Sequence, residues 1–469
     1  MSMTKTIFII CMIAGTLCVQ AQLTYTLRYR DSTSPFISVR IEAGKALKAP
    51  VQFIMPRSVP GAYSILTYDM YIDKVNAINM QGKHIPMERH ASGAPRWAAP
   101  VEEAGIMAVE YRVNIDRMER DNAPSDASLI RPGFAGILNY SVFGWIEGLD
   151  SQALACRVET FADWPVFSTN MPVQDPAYGS FQFQVNDYPA LADGQIFMGP
   201  RIQLKSFPGK VPLYVVSYAQ TINEYLDDYG SIGMECMAIL DTFYGALPFP
   251  HYTLVLSKAL QPDNRVAPPF AMEHLNSGTF MGDTTGLQTG PMMPVTRRRT
   301  LSNFLHHMAH AYIPLRCYSD HYRPRPLELP PLVETIWLNE GSGWFILHDI
   351  LKSPAYLQRF RSSVYETAAE IRALSMTELS GLASTMYSLD FRTGQAAFSR
   401  GALMFIEMDA HIRLKTSGQK SMRDVFRYLW QQSRRQTLPF SRDQLPELMS
   451  EGSGVDLSSI YQKWMGRIE

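Results

Sequence analysis

The chain lacks an excess of charge of either sign. Its 43 lysines and arginines almost cancel 44 acidic residues, leaving a net charge of −1. That balance gives no reason to expect nucleic acid or an anionic membrane as a partner. Cysteine is scarce, with five in 469 residues. No C-x-x-C spacing occurs, which argues against a thiolate zinc site. Two of the five, Cys11 and Cys18, lie near the N-terminus. Cys156, Cys236 and Cys317 are odd in number, so at most one disulfide can form among them, and they read as buried apolar residues. Beyond the N-terminal run no segment looks transmembrane, and there is no internal repeat or low-complexity tract.

The composition that remains, 46% hydrophobic and 19% charged, is that of a globular protein with ample core. The length suggests two or three domains. At the N-terminus Lys5 precedes the apolar run "IFIICMIAGTLCVQAQ". It is short for a bilayer span and closes on small residues. Val19-Gln20-Ala21 fits a signal-peptidase site, with Gln22 as the mature start; a buried first helix is the alternative. A lipoprotein is disfavoured because Leu17, not a small residue, precedes Cys18. The expectation is an exported protein, periplasmic or extracellular, with a signal peptide over residues 1–21.

From about Leu23 to Asn186 apolar residues alternate. Leu23, Tyr25, Leu27 and Tyr29 form one such row, Ile37, Val39 and Ile41 another, and Phe181, Phe183 and Val185 a third. Period two broken by turn residues such as Pro60-Gly61 indicates an antiparallel β-sandwich. Helical periodicity takes over from about Ile222. Leu301, Phe304, Leu305, Met308 and Tyr312 make a 3.6-residue stripe. "LVETIWLNEGSGWFILHDIL", "AAFSRGALMFIEMDAHIRL" and "SMRDVFRYLWQQS" read as further helices. "GTFMGDTTGLQTGPMMP", Gly278 to Pro294, reads as a loop, either a lid or plain surface. The division expected is a β-sandwich over 22–188 and a mainly helical domain over 189–469.

The segment "NFLHHMAHAY" carries the chemistry. Residues four apart share one helix face, so His306 and His310 can offer two imidazoles to one zinc ion, as in H-E-x-x-H peptidases. Glu340, thirty residues on in "WLNEGSGW", is the candidate third ligand. Histidine pairs at this spacing also arise by chance in a chain with ten histidines; the N-E-G on a following helix is what strengthens the reading. His307 stands where the glutamate base belongs.

The sequence resembles the glycyl aminopeptidase family of gluzincin metallopeptidases over nearly the whole mature chain. "MPRSVPGAYS" is similar to M-P-x-W-x-P-G-x-Y, with Ser58 in place of Trp. "YPALADGQIFMG" and "LPFPHYTLVL" resemble the entry to the catalytic domain and a strand before the site. "AMEHLNSG" is similar to G-G-L-E-H-x-x-S, and "FSRGALMFIEMDAHIRL" to Y-x-K-G-A-L and its helix. The family's C-terminal PDZ domain would begin near where this chain stops. The resemblance implies a thermolysin-like, mainly helical catalytic-type domain after the sandwich. It puts His306, His310 and Glu340 on the zinc ligands. It puts Glu273 on the acid that holds the substrate's α-amine, with His274 beside it; a carboxylate on an ammonium is a charge-assisted contact. A locally capped acid is the plainer reading of Glu273.

Two departures concern the chemistry itself. The general base that takes a proton from zinc-bound water becomes His307, which could act as a base or could coordinate and close the open position. The tyrosine that donates to the oxyanion becomes Phe398, and Arg400 replaces the lysine. A lost base costs about 10²–10⁴ in rate and a lost oxyanion donor about 10²–10³. The reading that follows is a zinc-aminopeptidase homologue with impaired or absent hydrolysis, binding a peptide or protein ligand. The alternatives are an active enzyme using His307 or a recruited residue such as Tyr387 or His274, and a scaffold with a vestigial cleft.

Overall fold

A computed structural model describes residues 23–100, 105–122, 127–217, 224–257, 271–281, 292–320, 322, 327–387, 389–435 and 439–468. The expected signal peptide lies outside the described residues, as does most of the loop after Gly278.

The N-terminal part is β-structure followed by a helical part, as the two periodicities require. Phe36–Ala43 alternates strictly between half-buried and buried positions, because period two sends successive side chains to opposite faces. It sits in a seven-stranded sheet ordered Ser180–Val185, Leu154–Glu159, Leu23–Arg28, Phe36–Ala43, Ile106–Asn114, Ile72–Asn79, His84–Pro86. Neighbours are antiparallel except Leu23–Arg28 and Leu154–Glu159, which run parallel. Its inner face, with Tyr25, Val39, Ile41, Val109 and Tyr111, packs on a four-stranded sheet that contributes Phe53 and Trp97. Phe53 lies 4.5 Å from Tyr111 between ring centroids and 5.6 Å from Trp97.

A third sheet joins the two parts. Its five strands run Ala177–Tyr178, Pro165–Ser168, Gln195–Met198, Phe134–Leu138, Leu129–Arg131. One face gives Ile137, Val166 and Ile196 to the sandwich core. The other gives Phe134, Phe167 and Phe197, which pack on Val216 and Val255 of the second part. The N-terminal sheets therefore include Gln195–Met198. Gln195–Met198 is buried on both faces, so it carries no alternation to read.

The second part opens with a mixed sheet ordered Gln203–Phe207, Leu213–Ser217, Tyr252–Ser257, Ser277–Met281, Ala271–Glu273. Leu213, Val215, Leu254 and Phe280 face the helices Leu226–Tyr244 and Pro294–Ala309 in one core. Helix Ile336–Leu351 then crosses the long helix Phe391–Lys415. Glycine permits the crossing: a Cβ on Gly401 would lie 2.0 Å from the Trp337 carbonyl oxygen, and one on Gly341 would lie 2.9 Å from the Gly401 backbone. Cys156 is buried in the first core, Cys236 and Cys317 in the second, and all three are free thiols. Among the described residues no helix is long and apolar enough to cross a membrane.

Candidate metal centre

Three elements converge on one point. Pro294–Ala309 carries His306 and His307, and His310 caps its C-terminus in near-helical conformation, which preserves the i, i+4 relation. Glu340 lies in the second turn of Ile336–Leu351, and Glu273 ends the edge strand Ala271–Glu273. His306 Nε2 and His310 Nε2 each stand 3.3 Å from Glu340 Oε2, and 3.2 Å from one another. A tetrahedral zinc ion with bonds of about 2.0–2.1 Å separates its ligands by about 3.3–3.4 Å. The donor triangle therefore has the size of a zinc face, and its atoms are the types zinc prefers.

The surroundings orient these side chains. His310 Nδ1 lies 3.1 Å from the Ile313 carbonyl, which turns Nε2 toward the centre. His306 packs on Gly343, where a Cβ would lie 2.6 Å from Nδ1, and 4.9 Å from the Trp344 ring centroid. The Tyr63 hydroxyl donates to Glu340 Oε1 at 3.0 Å, and Asn339 Nδ2 donates to the same hydroxyl at 3.4 Å. Burial would lift the Glu340 carboxyl, but His310 and hydrogen bonds from the His306 and His310 imidazoles hold it well below the usual range. Burial lowers His306 to about 4. Burial alone would lower His310 as well, but Glu340 and Glu273 outweigh it and raise it to about 9.

His307 Nδ1 stands 3.3 Å from Glu273 Oε2. Glu273 is buried; among the described residues its Oε1 has no hydrogen-bond partner, and Gly61 roofs it so closely that a Cβ there would lie 2.2 Å away. Gly61 and Tyr63 share the loop read from sequence as "MPRSVPGAYS". The loop is anchored by Arg57, whose Nε and Nη2 bind Asp69 at 2.7 and 2.6 Å, and by the Arg57 and Ser58 amides on the Leu327 carbonyl. Arg89 also binds the fully buried Asp69. The turn after Glu273 is held by Asp193 Oδ2, which accepts from the Leu275 amide at 2.7 Å, and by Arg316 on the Leu275 carbonyl at 2.8 Å.

The other sequence candidates lie further out. His274 turns toward the N-terminal part, with Nδ1 3.4 Å from Asp193 Oδ1 and its ring near Tyr140. Phe398 packs between Tyr63 and Tyr387, at centroid distances of 6.5 and 5.2 Å. Tyr387 lies over Gly394, and burial, then Glu340, raises its hydroxyl to about 12. Arg400 is buried away from the centre, donating to the carbonyls of Leu374, Trp464 and Gly466. Sequence reasoning missed Tyr63 and Asn339. Tyr63 was visible only as the last letter of a motif, and its partner lies 277 residues away.

The arrangement is an aminopeptidase-like multidomain fold, a sandwich followed by a helical domain that carries a histidine–glutamate cluster. Residues 24–200 match the Peptidase M61 N-terminal domain. No curated protein matches the sequence significantly. Among solved structures, the aminopeptidase N family protein from Idiomarina loihiensis superposes with a TM-score of 0.79 at 18% identity, covering 95% of this chain and 76% of that one. A variant of the M1 zinc metallopeptidase from Deinococcus radiodurans gives a TM-score of 0.53 at 14% identity, covering 96% and 95%. By sequence the N-terminal part is thus similar to the M61 N-terminal domain, and by fold the whole chain is aminopeptidase-like.

Proposed function

We propose that this protein is an exported homologue of the glycyl aminopeptidases that holds a zinc ion through His306, His310 and Glu340 and hydrolyses peptides poorly or not at all. The observation that carries the reading is the contact between His307 and Glu273. The side chain in the base's place and the side chain in the amine's place bind each other. A bound zinc ion would supply a Lewis acid and an activated water. The carboxylate base of the peptidases is replaced by an imidazole whose Nδ1 is held by Glu273, and Phe398 has no hydroxyl to donate. With Glu273 engaged and roofed by Gly61, a peptide or protein ligand of this cleft would be held without recognition of its α-amine. Export rests on the N-terminal run alone.

The rival, an active aminopeptidase with a recruited donor, draws on Tyr63, which brings a hydroxyl to Glu340 beside the Phe398 ring. A rescue series separates the two. His307→Glu, Phe398→Tyr and the double variant are assayed with zinc on aminoacyl amides. The double variant is expected to exceed wild type by at least about 10², less than the product of the two losses if the groups act as a unit. A wild-type rate typical of aminopeptidases, abolished by His306→Ala and by Tyr63→Phe, would establish the rival instead.

A further inference from the structure

We infer that His307 is a fourth metal ligand, turned by Glu273, so that the centre is closed by protein on all four sides. This rests on the metal-centre reading above and adds to it. One ring nitrogen from each of His306, His307 and His310 lies within 4.8 Å of the other two. The His307 ring centroid is 4.9 Å from that of His306 and 5.7 Å from that of His310. Its Nδ1 is taken by Glu273 Oε2, which leaves Nε2 as the nitrogen free to bind an ion. A carboxylate on the far nitrogen of a metal-bound imidazole fixes its tautomer and raises its basicity, the usual outer partner of such a ligand. His307 is also the most exposed of the three histidines, with 16% of its side chain accessible.

Charge supports the same assignment. Three neutral imidazoles and Glu340 around a dication leave one positive charge. Glu273, buried beside His307, cancels it. Buried charges persist when they are paired or coordinate metals, and this set is neutral as a whole. The sealed position of Glu273 fits an orienting role better than capture of a substrate amine. Oε1 is buried beneath Gly61, and His307 lies on Oε2. His307 would take the position that a peptidase keeps open for water and substrate, so the substitution would remove a base and block a coordination site at once.

The test uses the full chain loaded with zinc or cobalt. Zinc-edge X-ray absorption of the wild-type protein counts imidazole ligands; three are expected, and two would overturn the proposal. The visible spectrum of the cobalt form should be intense, as four-coordinate sites are, and unchanged by acetohydroxamate. His307→Ala should make that spectrum respond to acetohydroxamate. Glu273→Gln should keep the unresponsive spectrum while weakening zinc about 10–100-fold. A wild-type spectrum that shifts with acetohydroxamate as the His307→Ala spectrum does would overturn the proposal while leaving the three-ligand centre standing. A folded wild-type protein that takes up neither ion would overturn both.

Discussion

At the scale of single residues, the division of labour on Glu340 decides most. Oε2 faces both histidines and Oε1 receives the Tyr63 hydroxyl. If Glu340 binds the proposed zinc ion, its tied second oxygen already turns it for the metal, so less freedom is lost on binding. Tyr63→Phe should therefore weaken zinc about 10–100-fold, read by competition with a chelator, with the circular dichroism spectrum unchanged. Tyr63 itself holds a positive φ of 47°, a conformation that non-glycine residues rarely adopt. The His306 ring poses the opposite constraint, because it needs an absence. Gly343→Ala would place a methyl 2.6 Å from Nδ1. The ring would have to move off the donor triangle, and chelator competition should register a loss at least as large as that for Tyr63→Phe.

At the scale of elements, the crossing of Ile336–Leu351 on Phe391–Lys415 sets where Glu340 can stand. Gly401→Ala would drive a methyl into the Trp337 carbonyl, an atom of helix backbone that cannot rotate away. Overpacking of this kind costs about 1–3 kcal/mol, sometimes more, and should appear as a lower urea midpoint with an unchanged slope. The legibility of these elements in the sequence varies for physical reasons. Phe36–Ala43 could be read because one face is buried and the other is not. The helices could be read because their apolar stripes repeat every 3.6 residues, although "LVETIWLNEGSGWFILHDIL" begins its helix only at Ile336, after Pro330 and Pro331. Gln195–Met198 could not, since it is covered on both sides. In the site, the His306–His310 spacing is a local property of one helix, and Glu340 followed from a motif. The pairing of His307 with Glu273 and the arrival of Tyr63 and Gly61 are tertiary events between segments far apart in sequence, and no local pattern encodes them.

At the scale of the whole molecule, the loop that carries Gly61 and Tyr63 belongs to the N-terminal part but completes a centre in the helical part. Its anchor is the Arg57–Asp69–Arg89 cluster. Asp69→Ala leaves two partly exposed guanidinium groups without their carboxylate and should lower the urea midpoint. It should also weaken zinc, because the loop that positions Tyr63 loses its tether. Coupling of this kind is reciprocal: whatever factor docking of the loop adds to zinc affinity, zinc adds to docking. The free thiols offer a way to watch it. Burial raises Cys156, Cys236 and Cys317 far above the ordinary thiol range, so none reacts until its own core opens. Cys156 sits in the sandwich core and the other two sit in the helical core. Their alkylation rates, resolved peptide by peptide, are therefore two separate clocks for two opening reactions. Zinc that binds only the helical part would slow the second clock and leave the first running. Zinc that also clamps the loop would slow both, and the ratio of the two retardations would measure how much of the ion's grip reaches across the interface.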